Sequence, residues 1–439
     1  AVVFGTTILG SNPSAPAKKI NMLSSKNNFL SKIKNKLFPF YKSKEVDKIF
    51  TILEQNQPKD RRVAMFVGGC VRKHLQNQII DDIDIATVFT PEELKIKFKD
   101  KNIKVIETGI EHGSITIVID NMKFEITTLR RDVKTDGRHA EVTYTDNWQE
   151  DSNRRDFTIN SIYMDRKGKI FDPQSGTKDL ENNIIKFIGD PVKRLEEDFL
   201  RIIRFIRFSL QYSSKHSNSN LEAIKLNING IKKLSKERIL NELYKILILP
   251  NFQNIVQEVE LKEIFLLIFP EFKYLNRVKK TQFLINSNLN KELVLAILLI
   301  DESDNYEYFC HKYKTSNSLQ EKLKIMSNLL RQYESDKNFF SKNLKKNIYL
   351  FNKDTIQDLN TLIFFISQKN IYKKYLDISN KIRDTIVKKF PFDGKYLIQL
   401  GMNEGKKIGF VLSELEKEWL ANDFNLSNQE AENIINRLK

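Results

Sequence analysis

Two aspartates spaced two apart, Asp82 and Asp84, follow closely on a glycine pair, Gly68-Gly69. On a strand, residues two apart share a face, so both carboxylates point the same way. Two carboxylates at one spot repel each other unless a cation neutralises them. Hard oxygen ligands of this kind suit Mg²⁺, which keeps its remaining positions for water and phosphate. Two glycines between a strand and a helix let the backbone approach a phosphate at the helix start. Arg72, near that first turn, adds a charged fork for phosphate oxygens. An isolated Asp-x-Asp is more often an exposed acidic strand face; the glycine turn upstream favours a nucleotide site. A third carboxylate is expected from a neighbouring strand. Glu125, in Lys123-Phe124-Glu125-Ile126-Thr127, points away from the apolar face of Phe124 and Ile126, with a solvated strand residue as the alternative.

A second group is Arg154-Arg155-Asp156-Phe157-Thr158-Ile159-Asn160. Paired arginines can bind a triphosphate while Asp156 holds one guanidinium in place. Asn160 is placed to hydrogen-bond a ribose hydroxyl, and the plainer reading of Asp156 is a salt bridge at a helix start. The third group runs from Glu197-Asp198 through Arg201, Arg204 and Arg207. Asp190-Pro191 is a helix start signal, which predicts that the whole run is helical. Asp198 and Arg201 are then i, i+3 neighbours, with Arg204 on the adjoining strip. Such a pair can be a surface ion pair. It can also read a base: an Asp acceptor beside an Arg donor matches the amine and ring nitrogen shared by cytosine and adenine. Uracil and guanine present a carbonyl to the Asp instead.

These groups need elements to hold them. Val46, Ile49, Ile52 and Leu53 recur at helical spacing. Val63 to Val67 reads as a strand running into the glycine pair, followed by a helix from Cys70 to about Asn77, a strand at Ile83 to Ala86, and a helix opened by Pro91. Ile115/Ile117/Ile119 and Met122/Phe124/Ile126 alternate about Asp120-Asn121 as an antiparallel hairpin. Residues 130 to 153 are polar and mostly aperiodic, which predicts a loop. Beyond strands near Tyr163 and Ile170 the pattern is helical, including a buried helix at Leu293 to Ile300. The fold class expected is α+β, a mixed α/β head followed by all-helical domains.

The chain has 439 residues, room for several domains, with 41% hydrophobic and 29% charged residues, which suits a globular chain with a buried core. Its formal charge of +16 favours a polyanionic partner, although the Lys, Asn and Ile bias can also reflect base composition of the gene. The cysteine count of 2, Cys70 and Cys310, excludes a disulfide framework or a cysteine zinc site. His74, His112, His139, His216 and His311 show no metal-ligand spacing. No apolar run reaches the ~18 residues of a membrane span, so no membrane partner and a cytoplasmic location are expected. Residues 1–43 read as a disordered or non-native extension in preference to a targeting signal.

In order and spacing, these groups resemble the class II tRNA nucleotidyltransferase (CCA-adding) and bacterial poly(A) polymerase family. The metal motif of that family is similar to Gly68-Gly69-Cys70-Val71-Arg72 through Asp82-Ile83-Asp84, its ribose/phosphate motif to Arg154 through Asn160, and its nucleotide template to Glu197-Asp198-Phe199-Leu200-Arg201. Its neck-helix motif resembles Ser235-Lys236-Glu237-Arg238-Ile239-Leu240-Asn241-Glu242. The C-terminal positions Phe390-Pro391, Gly394, Gly401, Gly405 and Ile408-Gly409 look like its tail. The resemblance implies a nucleotidyltransferase head at 44–188, a helical neck at 189–250, an RNA-binding body at 251–389 and a tRNA-binding tail at 390–439. It also implies nucleotidyl transfer from CTP and ATP to the 3′ end of tRNA, with the acceptor arm as the surface gripped. Asp82 and Asp84, joined by Glu125, would serve the Mg²⁺ chemistry. Gly69, Arg72 and Arg155 would hold the triphosphate, Asn160 the ribose, and Asp198 and Arg201 the base, supported by Arg204 and Arg207. A poly(A) polymerase using ATP alone and a non-catalytic RNA-binding relative are the alternatives. Thr108 to Ser114 and Asp136 to Ala140 look like the CCA-adding branch. In that reading the loop Arg130 to Asn153 reshapes the pocket for the final A. Lys73 stands where the family usually has Asp, which implies a lost ion pair, Ser161 replaces an Ala, and Gln174-Ser175-Gly176 replaces a glycine pair.

Overall fold

A computed structural model describes residues 39–99, 101, 103–107, 109–110, 113–120, 122–135, 140–284 and 289–438. The chain divides into two compact units, Ala1–Phe269 and Pro270–Lys439.

In the first unit, α1 (Lys44–Glu54) is capped by Ser43 and buries Val46, Ile49, Ile52 and Leu53, the residues whose spacing predicted it. Strand β1 (Ala64–Val67) leads into α2 (Gly69–Leu75), followed by β2 (Ile83–Thr87) and α3 (Pro91–Phe98). Thr90 and Glu93 form a reciprocal capping box at the start of α3, with Pro91 at its first turn. Then come β3 (Lys104–Ile106), β4 (Ser114–Ile119) and β5 (Met122–Thr128). Strands β4 and β5 pair antiparallel with Ile117 opposite Phe124, as the alternation required. Asn121, in the predicted turn, lies outside the described residues.

Residues 130 to 153 are not a loop. Arg130–Thr135 (β6) and Ala140–Tyr144 (β7) form their own antiparallel ribbon, and Trp148–Asn153 is a helix, α4. In sequence β6 has one apolar residue, Val133, and the alternation of Ala140, Val142 and Tyr144 in β7 spans only five residues, too short to stand out from the polar stretch around it. Residues 136–139, most of the segment singled out for pocket reshaping, lie outside the described residues, as do Thr108, Glu111 and His112. Short strands β8 (Tyr163–Met164) and β9 (Ile170–Phe171) complete the main sheet. Among the described residues its order is β3-β4-β5-β2-β1-β8-β9, with β2 and β5 parallel and the other neighbours antiparallel. Met65, Val67, Ala86, Leu129, Trp148 and Tyr163 pack together beneath it.

Helices follow: α5 (Gly176–Glu181), α6 (Pro191–Glu197), α7 (Leu200–Tyr212), α8 (Asn218–Asn227), a 3₁₀ turn at Ile228–Lys233, α9 (Lys236–Leu247) and α10 (Val259–Ile268). The run after Pro191 is therefore not one helix. Asp198 is extended, at φ −156° and ψ 103°, and separates α6 from α7. The second unit is helical from Lys291 to Leu438 wherever it is regular, and Leu293 through Leu299 are all buried, as expected. Leu397, Val411, Leu415, Ala431 and Ile435 form a separate core near its C-terminal end. Among the described residues no helix is long and apolar enough to cross a membrane.

Where a glycine pair was expected, Ser175 takes a left-handed φ of +58° and Gly176 opens α5. A Cβ at Gly176 would overlap the Thr158 carbonyl, so the missing side chain lets α5 close on the 3₁₀ turn at Thr158–Asn160. Gly176→Ala is expected to cost about 1–3 kcal/mol, as overpacking does. A thermal melt would show the lowered midpoint, and an unchanged midpoint would refute this close packing.

Candidate active site

The Gly68 backbone has φ +73°, a conformation that favours glycine. This turn brings the start of α2 onto Asp84: the Gly69 backbone N–H acts to lower the pKa of the Asp84 carboxyl, and a Cβ on Gly68 would sit 3.3 Å from Asp84 Oδ2. Strand β2 begins at Ile83, so Asp82 stands just before it and Asp84 within it. Both aspartates line a cleft of about 640 Å³, together with Gly69, Arg72, Arg155, Asn160, Asp198, Arg201, Arg204 and Arg207. The structure thus gathers residues from four separate stretches of sequence into one place. Glu125 does not line the cleft; it pairs with Asp84 across the parallel strands β2 and β5.

Burial raises the Asp84 carboxyl above its ordinary value, and the charge of Asp82 adds to this while Arg72 opposes it. The Glu125 carboxyl is raised by partial desolvation and by the charges of Asp84 and Asp82. Carboxylates that raise one another are relieved by a cation, and their oxygens fit a hard divalent ion. Among the described residues no three of His, Cys, Asp and Glu are grouped closely enough to hold a metal. The fitting set is accordingly the pair Asp82 and Asp84, with Glu125 reaching it through charge.

The arginines are held by buried carboxylates. Asp151, at 0% exposure, takes Arg154 at 2.7 Å, Arg155 at 2.9 Å and the Tyr163 hydroxyl at 2.7 Å. It is therefore Asp151, and not Asp156 as the sequence suggested, that fixes the arginine pair. Asp156 instead binds Arg204 at 2.7 Å. Burial alone would raise both carboxyls, but Arg155 and Arg154 hold Asp151 far below the carboxylate range, and Arg204 does the same to Asp156. Glu242, 3% exposed, accepts from Arg207 Nε at 2.7 Å and Lys245 Nζ at 2.8 Å, with Arg204 Nη1 at 3.5 Å.

Asn160 joins these groups. Its Nδ2 donates to Asp156 at 2.6 Å, and its Oδ1 accepts from Arg72 Nη1. Each end of the amide makes one bond within the protein, which positions Arg72 and leaves one N–H and one lone pair of Asn160 for a further partner in the cleft. Arg72 Nε also donates to the Tyr212 hydroxyl at 2.9 Å. The guanidinium carbons of Arg72, Arg204 and Arg207 stand 5.2, 5.4 and 4.2 Å from the Phe208 ring centroid, within cation–π range.

Asp198 and Arg201 share the cleft but not a helix face. Asp198 Oδ1 accepts the Leu200 N–H at 3.1 Å, and Oδ2 accepts from Arg238 at 2.7 Å. Arg201 Nη1 donates to Glu197 and to the Arg194 carbonyl, both at 2.6 Å. The helix break at Asp198 has undone the i, i+3 pairing. Lys73 pairs with Asp81, a different ion pair from any that an Asp at position 73 could make. The sequence reading missed Asp151, Tyr163, Phe208, Tyr212 and Lys245. Asp151 sat in a stretch read as loop, while Arg238 and Glu242 lay in the neck motif without an assigned role.

Asp151 is expected to be the strongest stabilising charge of the site. Its lowered carboxyl contributes stability that is present above the unfolded value of about 3.9 and lost as pH falls toward the folded one. Asp151→Asn should cost about 3–5 kcal/mol near pH 7, because two largely buried guanidiniums lose their counter-charge. Urea unfolding at several pH values should show that difference narrowing in acid. Equal stability at pH 7 would refute it.

Residues 64–186 match the Poly A polymerase head domain model, and residues 218–275 the model described as Probable RNA and SrmB- binding site of polymerase A. The fold is similar to that of the Bacillus stearothermophilus CCA-adding enzyme in complex with CTP, with a TM-score of 0.68 over 90% of this chain and 98% of that one at 22% identity. The CCA-adding enzyme of Lactobacillus helveticus is 32% identical over 81% of this chain and 88% of its own. The mitochondrial CCA tRNA nucleotidyltransferase 1 of Danio rerio is 32% identical over 89% of this chain and 91% of its own. With that identity over nearly the full length of each, and with the carboxylate pair and arginine cleft in place, this chain belongs to the family of CCA-adding tRNA nucleotidyltransferases.

Proposed function

We propose that this protein adds C, C and A, taken from CTP and ATP, to the 3′ end of tRNA and releases pyrophosphate. The observation that carries the reading is the convergence of Asp82 and Asp84 with Asp198 and Arg201 in one arginine-lined cleft. A site that only held RNA would not need paired carboxylates, which repel a phosphate backbone. In the reaction the primer 3′-hydroxyl oxygen bonds to the α-phosphorus while the bond to the pyrophosphate oxygen breaks. Asp82 and Asp84 are the residues to hold Mg²⁺, which when bound neutralises the triphosphate and activates the hydroxyl. Gly69 offers a backbone approach to the phosphates, and Arg72 and Arg155 offer charge. Asn160 keeps Arg72 in place through its two amide bonds. Arg204 and Arg207, fixed by Asp156 and Glu242, support the base-reading pair.

Asp198 accepts from the amine shared by cytosine and adenine, and Arg201 donates to the adjacent ring nitrogen; uracil and guanine place a carbonyl against Asp198. The division into head 44–188, neck 189–250, body 251–389 and tail 390–439 is part of this proposal, with the helical half gripping the acceptor arm. So is a cytoplasmic location. An enzyme of this kind, given tRNA lacking its 3′ end and both nucleotides, should add a short defined tail and stop. Long tails made from ATP alone, with CTP ignored, would replace this reading with poly(A) polymerase.

Asp82→Ala and Asp84→Ala should each lower nucleotide addition roughly a thousandfold or more, the scale of a lost metal ligand. Binding of tRNA should survive in a filter-binding assay. Because the metal-free Asp84 and Glu125 carboxyls are raised, protons should compete with the ion, so the Mg²⁺ concentration needed for half-maximal activity should rise as pH falls. Near-normal turnover by either variant at saturating Mg²⁺ would remove the assignment.

A further inference from the structure

The residue assigned to read the base, Asp198, does not stand on a helix, and its place must be fixed by something else. One short stretch, the 3₁₀ turn Ile228–Lys233 and the start of α9, supplies contacts to Asp198 and to its neighbour Phe199. Arg238 reaches from the first turn of α9 to Asp198 Oδ2 at 2.7 Å. Ser235, whose hydroxyl accepts the Arg238 N–H, fixes where that turn begins. Next to Asp198, the Phe199 ring lies flat against Gly230, which is buried, and a Cβ built there would overlap the ring itself. Lys233 Nζ stands 5.5 Å from the same ring centroid. The ring thus meets a bare backbone and a cation, one residue from the extended Asp198.

The remaining lone pairs of Asp198 make the arrangement selective. Oδ1 is used by the Leu200 N–H and Oδ2 by Arg238. A carboxylate has about four acceptor positions, so about two stay open for an incoming amine. Without the Arg238 tether the carboxylate could turn about its χ angles, and its open lone pairs would no longer point in one direction. A rotated or protonated Asp would tolerate a carbonyl opposite it, which is the discrimination at stake.

We propose that Gly230 and Arg238 form a positioning device for base selection: Gly230 is the socket for Phe199, Arg238 is the tether for Asp198, and together they set which nucleotides the site accepts. Neither is a catalytic residue, since both act through Asp198. The device rests on the reading of Asp198 as the base-selecting acceptor.

The test measures kcat/KM for CTP, UTP, ATP and GTP with the full-length protein and tRNA lacking its 3′ end. The variants are Arg238→Gln, Arg238→Lys and Gly230→Ala, with Asp198→Ala as the reference. Arg238→Gln and Gly230→Ala should each lower the CTP-over-UTP and ATP-over-GTP ratios about tenfold, the scale of one misplaced polar contact. Arg238→Lys should recover part of the ratio, because it returns the charge without the planar fork. If Asp198→Ala relaxes selection while Arg238→Gln and Gly230→Ala lose only rate, the positioning device is refuted and the base reader stands. If Asp198→Ala itself keeps the wild-type ratios, the base-reading assignment fails and takes the device with it. Should Gly230→Ala fail to fold, as circular dichroism would show, the two Arg238 variants decide the matter alone.

Discussion

Cations crowded into one cleft repel one another, and everything near this site answers that constraint. Arg72, Arg154, Arg155, Arg201, Arg204 and Arg207 line the same space as Lys245 and Arg130. Left alone, such a group would splay outward and leave no shaped pocket. Three buried carboxylates prevent this: Asp151 for the 154–155 pair, Asp156 for Arg204, and Glu242 for Arg204, Arg207 and Lys245. The Phe208 ring adds a neutral surface against which three guanidiniums rest. Removing one partner of a buried pair is far more damaging than removing an exposed one, so these acids hold the pocket's form.

The carboxylates also tie separate elements together. A continuous path runs from Tyr212 to Arg72, Asn160, Asp156, Arg204, Glu242 and Arg207. It joins α2, next to the aspartate pair, with α7 and α9, which carry the base-reading side of the cleft. Phosphate chemistry and base selection therefore share one hydrogen-bonded frame. Asp82 and Asp84 stand apart from it and line the cleft, and the Asp84 carboxyl is raised by burial and by the charge of Asp82, a state a cation would relieve.

Much of the first unit was legible in the sequence. The spacing of Val46, Ile49, Ile52 and Leu53 and the alternation about Asp120 each carried their own period, and both elements formed as expected. Pro91 after Thr90 located a helix start to the residue. Two readings went astray for related reasons. Residues 130–153 alternate only over the five residues Ala140 to Tyr144, and β6 carries the single apolar residue Val133, so the mostly polar stretch showed too short a period to be read as a ribbon. The run after Pro191 has an unbroken helical pattern, yet the chain turns extended at Asp198. There Phe199 packs on Gly230 and Asp198 pairs with Arg238, contacts that come from residues far along the chain and that no local period announces.

The sequence by itself determined which residue types would meet: a carboxylate pair after a glycine turn, paired arginines, and an Asp with arginines at helical spacing. Those are local facts, since glycine freedom, strand alternation and helix capping act within a few residues. Only the tertiary structure decided which acid partners which base. Asp156 adjoins Arg155 in sequence but pairs with Arg204, while Asp151 takes the arginine pair and Arg201 turns to Glu197. Electrostatic pairing depends on distance and burial after the chain has folded. Neither is written in the order of residues, so neighbours in sequence need not become partners in space.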